Sequence, residues 1–331
     1  MPSDFIALLA AGGAIAHGPA GVLHARSLIR LAASSKHGIP SETPVRGTDI
    51  EYADDLCATT ESIERLAATI RDTAAEAGCV GVVVTHSLET LEPVAFACDL
   101  LIGAIDKPVI FTGAFTPPHA KRSDAHANLS AAVRAAGSRT TPRLSGVFIV
   151  VNDRIHAAIE ATRIRAHSSE TFASPAVGPV GICTEGRVQV LRAAARIEID
   201  THAMDPRVEL IDCRGIECDD AIRAASSRAR GIVLQTAGSG TMRLGDGHAL
   251  HEAIAAGVLV MMSHESCLRG ADTGTGGISE CVVPAVYDPD GPRPTTIDGR
   301  TAATLLMAAI GAGLDRARLR RVLRQRPDEP G

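Results

Sequence analysis

Short apolar runs alternate with longer amphipathic segments along most of the chain, and this alternation predicts strands and helices in turn. The first group of predicted strands is 5–10, 81–85, 108–112 and 146–151, and its predicted helices are 60–77, 91–104 and 123–136. In the first of these helices Ile63, Leu66 and Ile70 repeat at the spacing of one helical face. The strands are apolar on both faces, which is typical of a parallel sheet covered by helices on each side.

A second group of strands and helices follows a more polar stretch, residues 187–207, which has no clear period. The strands predicted in this group are 208–212, 231–236 and 258–263, and the helices are 245–256 and 301–311. We therefore predict an α/β protein of two domains, each with a parallel-rich sheet and flanking helices. The predicted bounds are 1–188 for a domain that holds most of the site, 189–207 for a linker and 208–331 for the second domain.

Charge and hydropathy narrow the classes of partner. The formal net charge of the 331 residues is −5, and a nucleic-acid partner requires clustered Lys and Arg. The basic run 318–324 is interpreted as the solvated face of a C-terminal helix. No apolar stretch approaches the roughly 20 residues that span a bilayer, and no signal-peptide pattern begins the chain. We predict a cytoplasmic protein without nucleic-acid or membrane partners.

Cysteine and histidine spacing predicts neither disulfides nor a bound metal. The eight Cys show no C-x-x-C spacing, and several lie inside apolar runs, where Cys behaves as a small hydrophobe. His248 and Glu252 are one helical turn apart but have no third ligand beside them. The glycine pair after the first strand does not fit the spacing of a dinucleotide-binding loop. No cofactor is predicted.

In open parallel sheets, ligands bind beyond the carboxyl ends of the strands. Four segments occupy that position here: Ala11–Ala16, Thr85–Thr90, Thr112–Phe115 and Ala237–Thr241. The candidate chemistry is therefore expected in these four segments.

These segments resemble, in order, those of the asparaginase/glutaminase family. A-G-G-A-I-A (11–16) is similar to the signature T-G-G-T-I-A, and T-H-S-L-E-T-L-E-P (85–93) is similar to T-H-G-T-D-T-L-E-E. The similarity continues through residues 107–118, 123–129, 152–158, 174–181 and 231–241. It implies a larger N-terminal and a smaller C-terminal α/β domain. It also implies a substrate derived from an amino acid or amide, and a homodimer or homotetramer with its sites between subunits.

The resemblance also shows where this chain departs from the family pattern. The threonine that attacks the amide in the family corresponds to Ala14, and the second catalytic threonine corresponds to Leu88. The lysine that activates the second threonine aligns with Arg163, and arginine stays charged and cannot act as a base. The two tyrosines of the chain lie outside the loop 17–24, where the family has an assisting tyrosine. The resemblance therefore predicts that threonine-based hydrolysis is lost.

Three residues remain as candidate catalytic groups: Ser87, Glu89 and Arg163. Ser87 replaces a family glycine and is a possible substitute nucleophile, although His86 points to the opposite face of an extended backbone. Glu89 replaces the aspartate that holds an α-ammonium, and Asp55 aligns with a serine that binds the α-carboxylate. Two carboxylates predict a cationic or hydroxyl-rich ligand, with Arg163 as a competing carboxylate binder. The full set of predicted substrate-binding residues is Gly13, Ala14, Asp55, His86, Leu88, Ala114, Asp124, Ser239 and Thr241.

Three functions remain open from the sequence. The first is an enzyme that acts on a carbon–nitrogen bond of an amino-acid-derived substrate, with Glu89 in acid–base work and Ser87 or a bound water as nucleophile. The second is a non-catalytic protein that binds a small ligand in the same cleft. The third is a cyclase or lyase, in which positioning and charge suffice. A shared fold does not decide among them, because function depends on the site.

Overall fold

The computed structural model describes residues 3–40, 42–50, 57–139, 144–175, 177–184, 186–194, 196–236, 244–264, 294–295 and 297–323. The chain divides into two compact units, Met1–Glu198 and Ile199–Gly331. This division falls inside the segment 189–207, and the domain bounds given above stay a prediction.

In its described residues, the first unit contains a sheet of eight strands in the order β12-β11-β8-β7-β6-β5-β1-β4, two short strand pairs and four α-helices. Its strands are β1 (Phe5–Ala10), β2 (His17–Gly18), β3 (Gly21–Val22), β4 (Val45–Asp49), β5 (Cys79–Thr85), β6 (Pro108–Thr112), β7 (Gly146–Val151), β8 (Arg154–Ala157), β9 (Thr162–Arg163), β10 (Phe172–Ala173), β11 (Gly181–Thr184) and β12 (Arg187–Val190). Its helices are α1 (Ala25–Ala33), α2 (Thr60–Ala75), α3 (Leu91–Ile102) and α4 (Ala125–Ala136), with a 3₁₀ turn at Ala14–Ala16.

Five strands of the large sheet run parallel to one another: β4, β1, β5, β6 and β7. The other three, β8, β11 and β12, pair antiparallel at one edge. The change of direction occurs at Asn152 and Asp153, whose φ angles of 50° and 58° allow a tight two-residue hairpin. The predicted parallel-rich α/β fold is confirmed for this unit, whereas the antiparallel edge was not predicted.

The core of the first unit consists mainly of Val, Ile, Leu and Ala, since aromatic residues make up only 2% of the chain. Every residue of β1, β6 and β7 is buried. Small residues let the helices pack closely on the sheet: a Cβ at Gly81 of β5 would lie 2.2 Å from the carbonyl oxygen of Ala136 in α4. The apolar strands are therefore covered from both faces, as their patterning predicts.

The second unit contains a four-stranded parallel sheet in the order β13-β14-β15-β16. Its elements are β13 (Val208–Asp212), β14 (Gly231–Thr236), β15 (Leu259–His264), β16 (Pro294–Thr295), α5 (Asp219–Ser226), α6 (Leu244–Ala255), α7 (Gly299–Gly311) and α8 (Arg316–Leu323). The predicted basic C-terminal helix corresponds to α8. None of the helices in the described part of the chain is long and apolar enough to cross a membrane.

One expectation about cysteine is wrong, because Cys213 and Cys218 form a disulfide. Cys213 follows β13 and Cys218 is the residue before α5, so the intervening turn brings their Cα atoms to 5.7 Å. The backbone amide of Cys218 donates to a carboxylate oxygen of Asp246 at 3.0 Å. The turn between β13 and α5 brings the two cysteines of the disulfide together. The absence of a C-x-x-C motif therefore does not exclude a disulfide.

A buried ion pair fixes the last segment of the first unit against α3. The carboxylate of Asp99, 2% exposed, lies 2.9 Å from Nη2 and 3.1 Å from Nε of Arg196. The same carboxylate accepts from the backbone amide of Val147, and Arg196 donates to the carbonyl of Gly103. Burial raises the pKa of Asp99, while Arg196 and the amide oppose that rise. The carboxylate therefore depends on Arg196 to stay charged inside the protein.

We predict that Arg196→Met lowers the free energy of unfolding by about 3–5 kcal/mol, because it leaves a buried carboxylate without its counter-charge. Urea unfolding at neutral pH measures the loss. The loss should shrink as the pH falls, because a carboxyl with a raised folded-state pKa is stabilised by taking up a proton.

Arg165→Met is the matched control, since Arg165 and its partner Glu170 are 54% and 52% exposed. Removing an exposed pair costs less than about 1 kcal/mol. Equal losses in the two variants would contradict the role given to Arg196.

Candidate functional site

Three neighbouring strands bring their carboxyl ends to one edge of the large sheet. Ala10 of β1 lies opposite Thr85 of β5, and Thr85 lies opposite Thr112 of β6. The segments that follow these strands are 11–16, 86–90 and 113–115, and they therefore lie side by side. This is the position at which open α/β sheets bind ligands.

Gly13 brings the first segment against the second. It has a φ of 86°, and a Cβ there would lie 2.4 Å from the carbonyl oxygen and 2.5 Å from the carbonyl carbon of His86. Only glycine fits a backbone contact this close in that conformation. Ala14 follows directly at the start of the 3₁₀ turn and is half-buried. The predicted site residues Gly13, Ala14, His86 and Ser87 are thus brought together.

The third segment closes on the same carbonyl from the other side. A Cβ at Gly113 would lie 2.6 Å from the carbonyl oxygen of His86 and 2.7 Å from Cδ2 of Leu88. Leu88 and Ala114 are 8% and 3% exposed, respectively. Leu88 therefore packs its side chain between the second and third segments as an apolar contact.

The imidazole of His86 is buried and contacts Thr90 and Phe111. His86 is fully buried, its Nε2 hydrogen-bonds with Thr90 Oγ1 at 3.0 Å, and its ring meets Phe111 edge-on with centroids 6.3 Å apart. The Ser87 hydroxyl accepts from the backbone amide of Glu89 at 3.4 Å. Among the described residues no imidazole, amine or carboxylate lies within hydrogen-bond distance of Ser87 Oγ. His86 and Ser87 therefore bond to different partners, and their orientation on opposite faces stays a prediction.

Glu89 and Arg163 form a bidentate ion pair at this edge of the sheet. Arg163 Nη2 donates to Glu89 Oε1 at 2.7 Å, and Nη1 donates to the other carboxylate oxygen. The hydrogen bonds from Arg163 lower the pKa of Glu89, more than partial desolvation raises it. Glu89 is 54% exposed and Arg163 is 21% exposed. A carboxylate held in this way stays ionised and is a weak base.

Glu92 fixes the backbone that carries Arg163. Its carboxylate oxygen accepts from the backbone amide of Arg163 at 3.0 Å, and its side chain is buried in the first turn of α3. Arg163 lies in β9, which pairs with β10 in a short hairpin. Glu92 is not among the site residues predicted from the sequence. The available signal was its position one turn after Glu89, on the same face of the helix start.

Asp124 and Asn128 connect the segments that follow two neighbouring strands, β6 and β7. Asp124 accepts from the backbone amides of Phe115 and Thr116 at 3.0 and 2.9 Å, and Asn128 donates to the carbonyl of Gly113 at 2.9 Å. Asn128 Nδ2 also donates to Asp124, and its side-chain oxygen accepts from the amide that follows β7. Asp124 therefore holds the third segment in place, and Asn128 is a positioning residue that sequence reasoning missed.

The remaining predicted site residues, Asp55, Ser239 and Thr241, lie outside the described residues. Within the described ranges, no group of three or more His, Cys, Asp or Glu is arranged to hold a metal ion. The part of the predicted site that the structure brings together is Gly13, Ala14, His86, Ser87, Leu88, Glu89, Ala114, Asp124 and Arg163.

Comparison with known sequences identifies asparaginase-type relatives. Residues 5–196 match the family model described as "Asparaginase, N-terminal". A glutaminase-asparaginase of Pseudomonas fluorescens is 30% identical over 274 residues, which is 78% of this chain and 74% of that protein. L-asparaginase 2 of Bacillus subtilis is 28% identical over 277 residues, which is 78% of this chain and 72% of that protein.

Comparison with solved structures supports the fold. A probable cytoplasmic L-asparaginase from Campylobacter jejuni matches with a TM-score of 0.77 and 23% identity, over 97% of this chain and 99% of that one. The thermostable L-asparaginase from Thermococcus kodakarensis matches with a TM-score of 0.80 and 21% identity, over 96% of each chain. Both likenesses show the fold alone.

We predict that Arg163→Met raises the pKa of Glu89 back toward its ordinary value, because the guanidinium that stabilises the carboxylate is removed. Carbon-detected NMR titration of glutamate side chains measures the change. Arg165→Met, which removes an exposed arginine from the same region of sequence, should leave the Glu89 titration unchanged. An unchanged Glu89 pKa in Arg163→Met would show that the pair does not persist in solution.

Proposed function

The chain belongs to the asparaginase family, and we propose that it binds an amino-acid-derived ligand at the strand ends without the family's threonine-based hydrolysis. The observation that carries this proposal is the ion pair of Glu89 with Arg163. It fixes two opposite charges at the strand ends, where no activated nucleophile is found among the described residues. Its further support comes from the side chains around the cleft.

The absence of an activated nucleophile rests on three positions. By the resemblance in sequence, Ala14 and Leu88 occupy the places of the family's two catalytic threonines, and neither has a hydroxyl. Ser87 has a hydroxyl, but in the described part of the chain its Oγ has no base beside it. A serine without an adjacent base is a weak nucleophile. These positions support a site that binds better than it hydrolyses.

The charges of the pair suit a ligand that carries both an ammonium and a carboxylate. A guanidinium presents a planar fork that matches a carboxylate, and Glu89 offers an anionic partner to an ammonium. Because Glu89 is half-exposed, a ligand can exchange with the internal partner at a modest cost, about 0–1 kcal/mol for an exposed pair. This differs from the cationic ligand predicted from sequence, since Arg163 neutralises Glu89. Asp55, the other carboxylate in that prediction, lies outside the described residues.

A second candidate function is hydrolysis of a carbon–nitrogen bond through a bound water. The observation that favours it is the ionised, half-exposed Glu89 carboxylate, which can accept a proton from water as the water adds to an amide carbonyl. The proton would then pass to the departing amine as the carbon–nitrogen bond breaks. Such a step requires Arg163 to release Glu89 on ligand binding, because the ion pair makes the carboxylate a weak base.

The expected partners follow from the same premise. The ligand is an amino acid, an amide or a derivative of one, and no nucleic acid or membrane is part of the proposal. Cytoplasmic localisation and a homo-oligomer with sites between subunits are proposed from the sequence resemblance.

We predict that asparagine binds the wild-type protein and that Arg163→Met and Glu89→Gln each weaken binding by at least about tenfold, the equivalent of one lost charge-assisted contact. Calorimetric titration measures the affinity, and Arg165→Met serves as the unaffected control. Ammonia release from asparagine or glutamine should be at least ~10³-fold below that of an ordinary family enzyme.

Different results would contradict the two parts of this prediction, which are the loss of hydrolysis and recognition by the ion pair. Ammonia release at ordinary enzyme rates would refute the loss of hydrolysis. Unchanged asparagine affinity in both charge variants would refute recognition by the pair. A slow hydrolysis that disappears in Glu89→Gln would favour the second candidate function.

We also predict a homodimer or homotetramer at micromolar concentration. Sedimentation equilibrium measures the mass against the 34.3 kDa of one chain. A stable monomer would contradict the intersubunit site.

A further inference from the structure

A pocket of about 280 Å³ lies at the far end of α4 from the candidate site. It is formed by the segment after α1, the end of α4 and the β11–β12 hairpin, and its walls include His37, Ile39, Pro40, Arg134, Ser138 and Val188. The helix begins beside Asp124 in the candidate site. Arg134 is ten residues further on, about 15 Å along the axis at the α-helical rise of 1.5 Å per residue. The pocket and the candidate site share no residue.

The wall of this pocket contains a buried arginine whose hydrogen-bond partners are neutral. Arg134 is 8% exposed, and its Nη1 donates to the carbonyl of Gly38 at 3.0 Å and to the hydroxyl of Ser130. Its Nε is buried and has no acceptor among the described residues. Among the described residues, no carboxylate lies within ion-pair distance of the Arg134 guanidinium.

This arrangement is unfavourable for the protein alone. A charge removed from water is costly unless an opposite charge or a full set of hydrogen bonds replaces the solvent. Burial lowers the pKa of Arg134, and the more distant Cys183 and Asp153 oppose that shift only in part. By contrast, the half-buried Arg196 of the same unit has a carboxylate partner in Asp99. An anion that enters the pocket would supply the missing charge.

We propose that this pocket is a binding site for a small organic monocarboxylate held by Arg134. The guanidinium matches a carboxylate in shape and charge, and Ser138 adds a polar group beside it. Ile39, Pro40 and Val188 supply an apolar wall for the body of the ligand. One fixed guanidinium balances one negative charge, so a phosphate dianion fits less well than a monocarboxylate.

The test is calorimetric titration of the full chain with benzoate, with benzamide as its neutral isostere and with inorganic phosphate. Benzoate is expected to saturate a single site, and both other compounds to bind at least about tenfold more weakly. Arg134→Met should weaken benzoate binding at least about tenfold. Val188→Phe, which fills the pocket and keeps Arg134, should do the same.

Two control variants locate the site. Arg139→Met removes an arginine with a 65% exposed side chain that pairs with Asp4 at the surface, and it should bind benzoate as wild type does. Arg163→Met should also bind benzoate normally, because Arg163 belongs to the strand-end site.

Several outcomes would overturn the proposal. They are benzamide or phosphate binding as tightly as benzoate, benzoate binding that is lost in Arg163→Met, and benzoate binding unchanged in Val188→Phe. Unchanged benzoate binding in Val188→Phe would overturn the proposal even if Arg134→Met fails to fold, because Val188→Phe leaves the hydrogen bonds of Arg134 in place.

Discussion

The candidate site depends on the close approach of three backbone segments to one carbonyl group. Gly13 on one side and Gly113 on the other leave so little space around the carbonyl of His86 that a single methyl group at either position would overlap it. This contact requires the carboxyl ends of β1, β5 and β6 to lie in register, and the buried apolar strands provide that register. Asp124 then holds the third segment by accepting a hydrogen bond from its backbone, and Asn128 holds it by donating one to its backbone. The positions of Leu88, Glu89 and Ala114 follow from this framework.

Charge is distributed unevenly within that framework. The inner part of the site is apolar or internally hydrogen-bonded, as Leu88 and the His86–Thr90 pair illustrate. The outer part contains the ion pair of Glu89 with Arg163, whose backbone is in turn held by Glu92. This charged pair is therefore the part of the site that is partly exposed to solvent. Binding is the better-supported function, because the ion pair makes Glu89 a weak base and the Ser87 hydroxyl has no base beside it among the described residues.

Sequence reasoning succeeded where a residue pattern depends on burial alone. Strands such as Phe5–Ala10 and Gly146–Val151 are apolar throughout because both faces are covered, and their bounds could be read directly. β4 was missed because Val45–Asp49 is an edge strand that is mostly exposed and has no apolar run. The antiparallel strand β12 was missed for a similar reason, since its residues alternate between exposed and half-buried.

Contacts between distant parts of the chain were the least predictable. The position of Arg163 opposite Glu89 joins residues 74 apart in sequence, and Glu92 reaches the same hairpin from α3. The family resemblance identified Arg163 and Glu89 as site residues but not their mutual neutralisation, which changes the expected ligand from a cation to a zwitterion. The disulfide of Cys213 and Cys218 joins residues only five apart, and it was missed because it depends on the turn that joins β13 to α5.

The packing of Leu88 has an evolutionary consequence. Its side chain fills the space over Gly113, which has no side chain of its own, so the two positions are matched in volume. A small hydroxyl-bearing residue at position 88 would leave a void and bring a polar group into a site that is only 8% exposed. A hydroxyl-bearing residue there would therefore give a less stable protein unless position 113 or its surroundings also changed. Packing alone therefore favours a leucine at position 88, whatever ligand the site accepts.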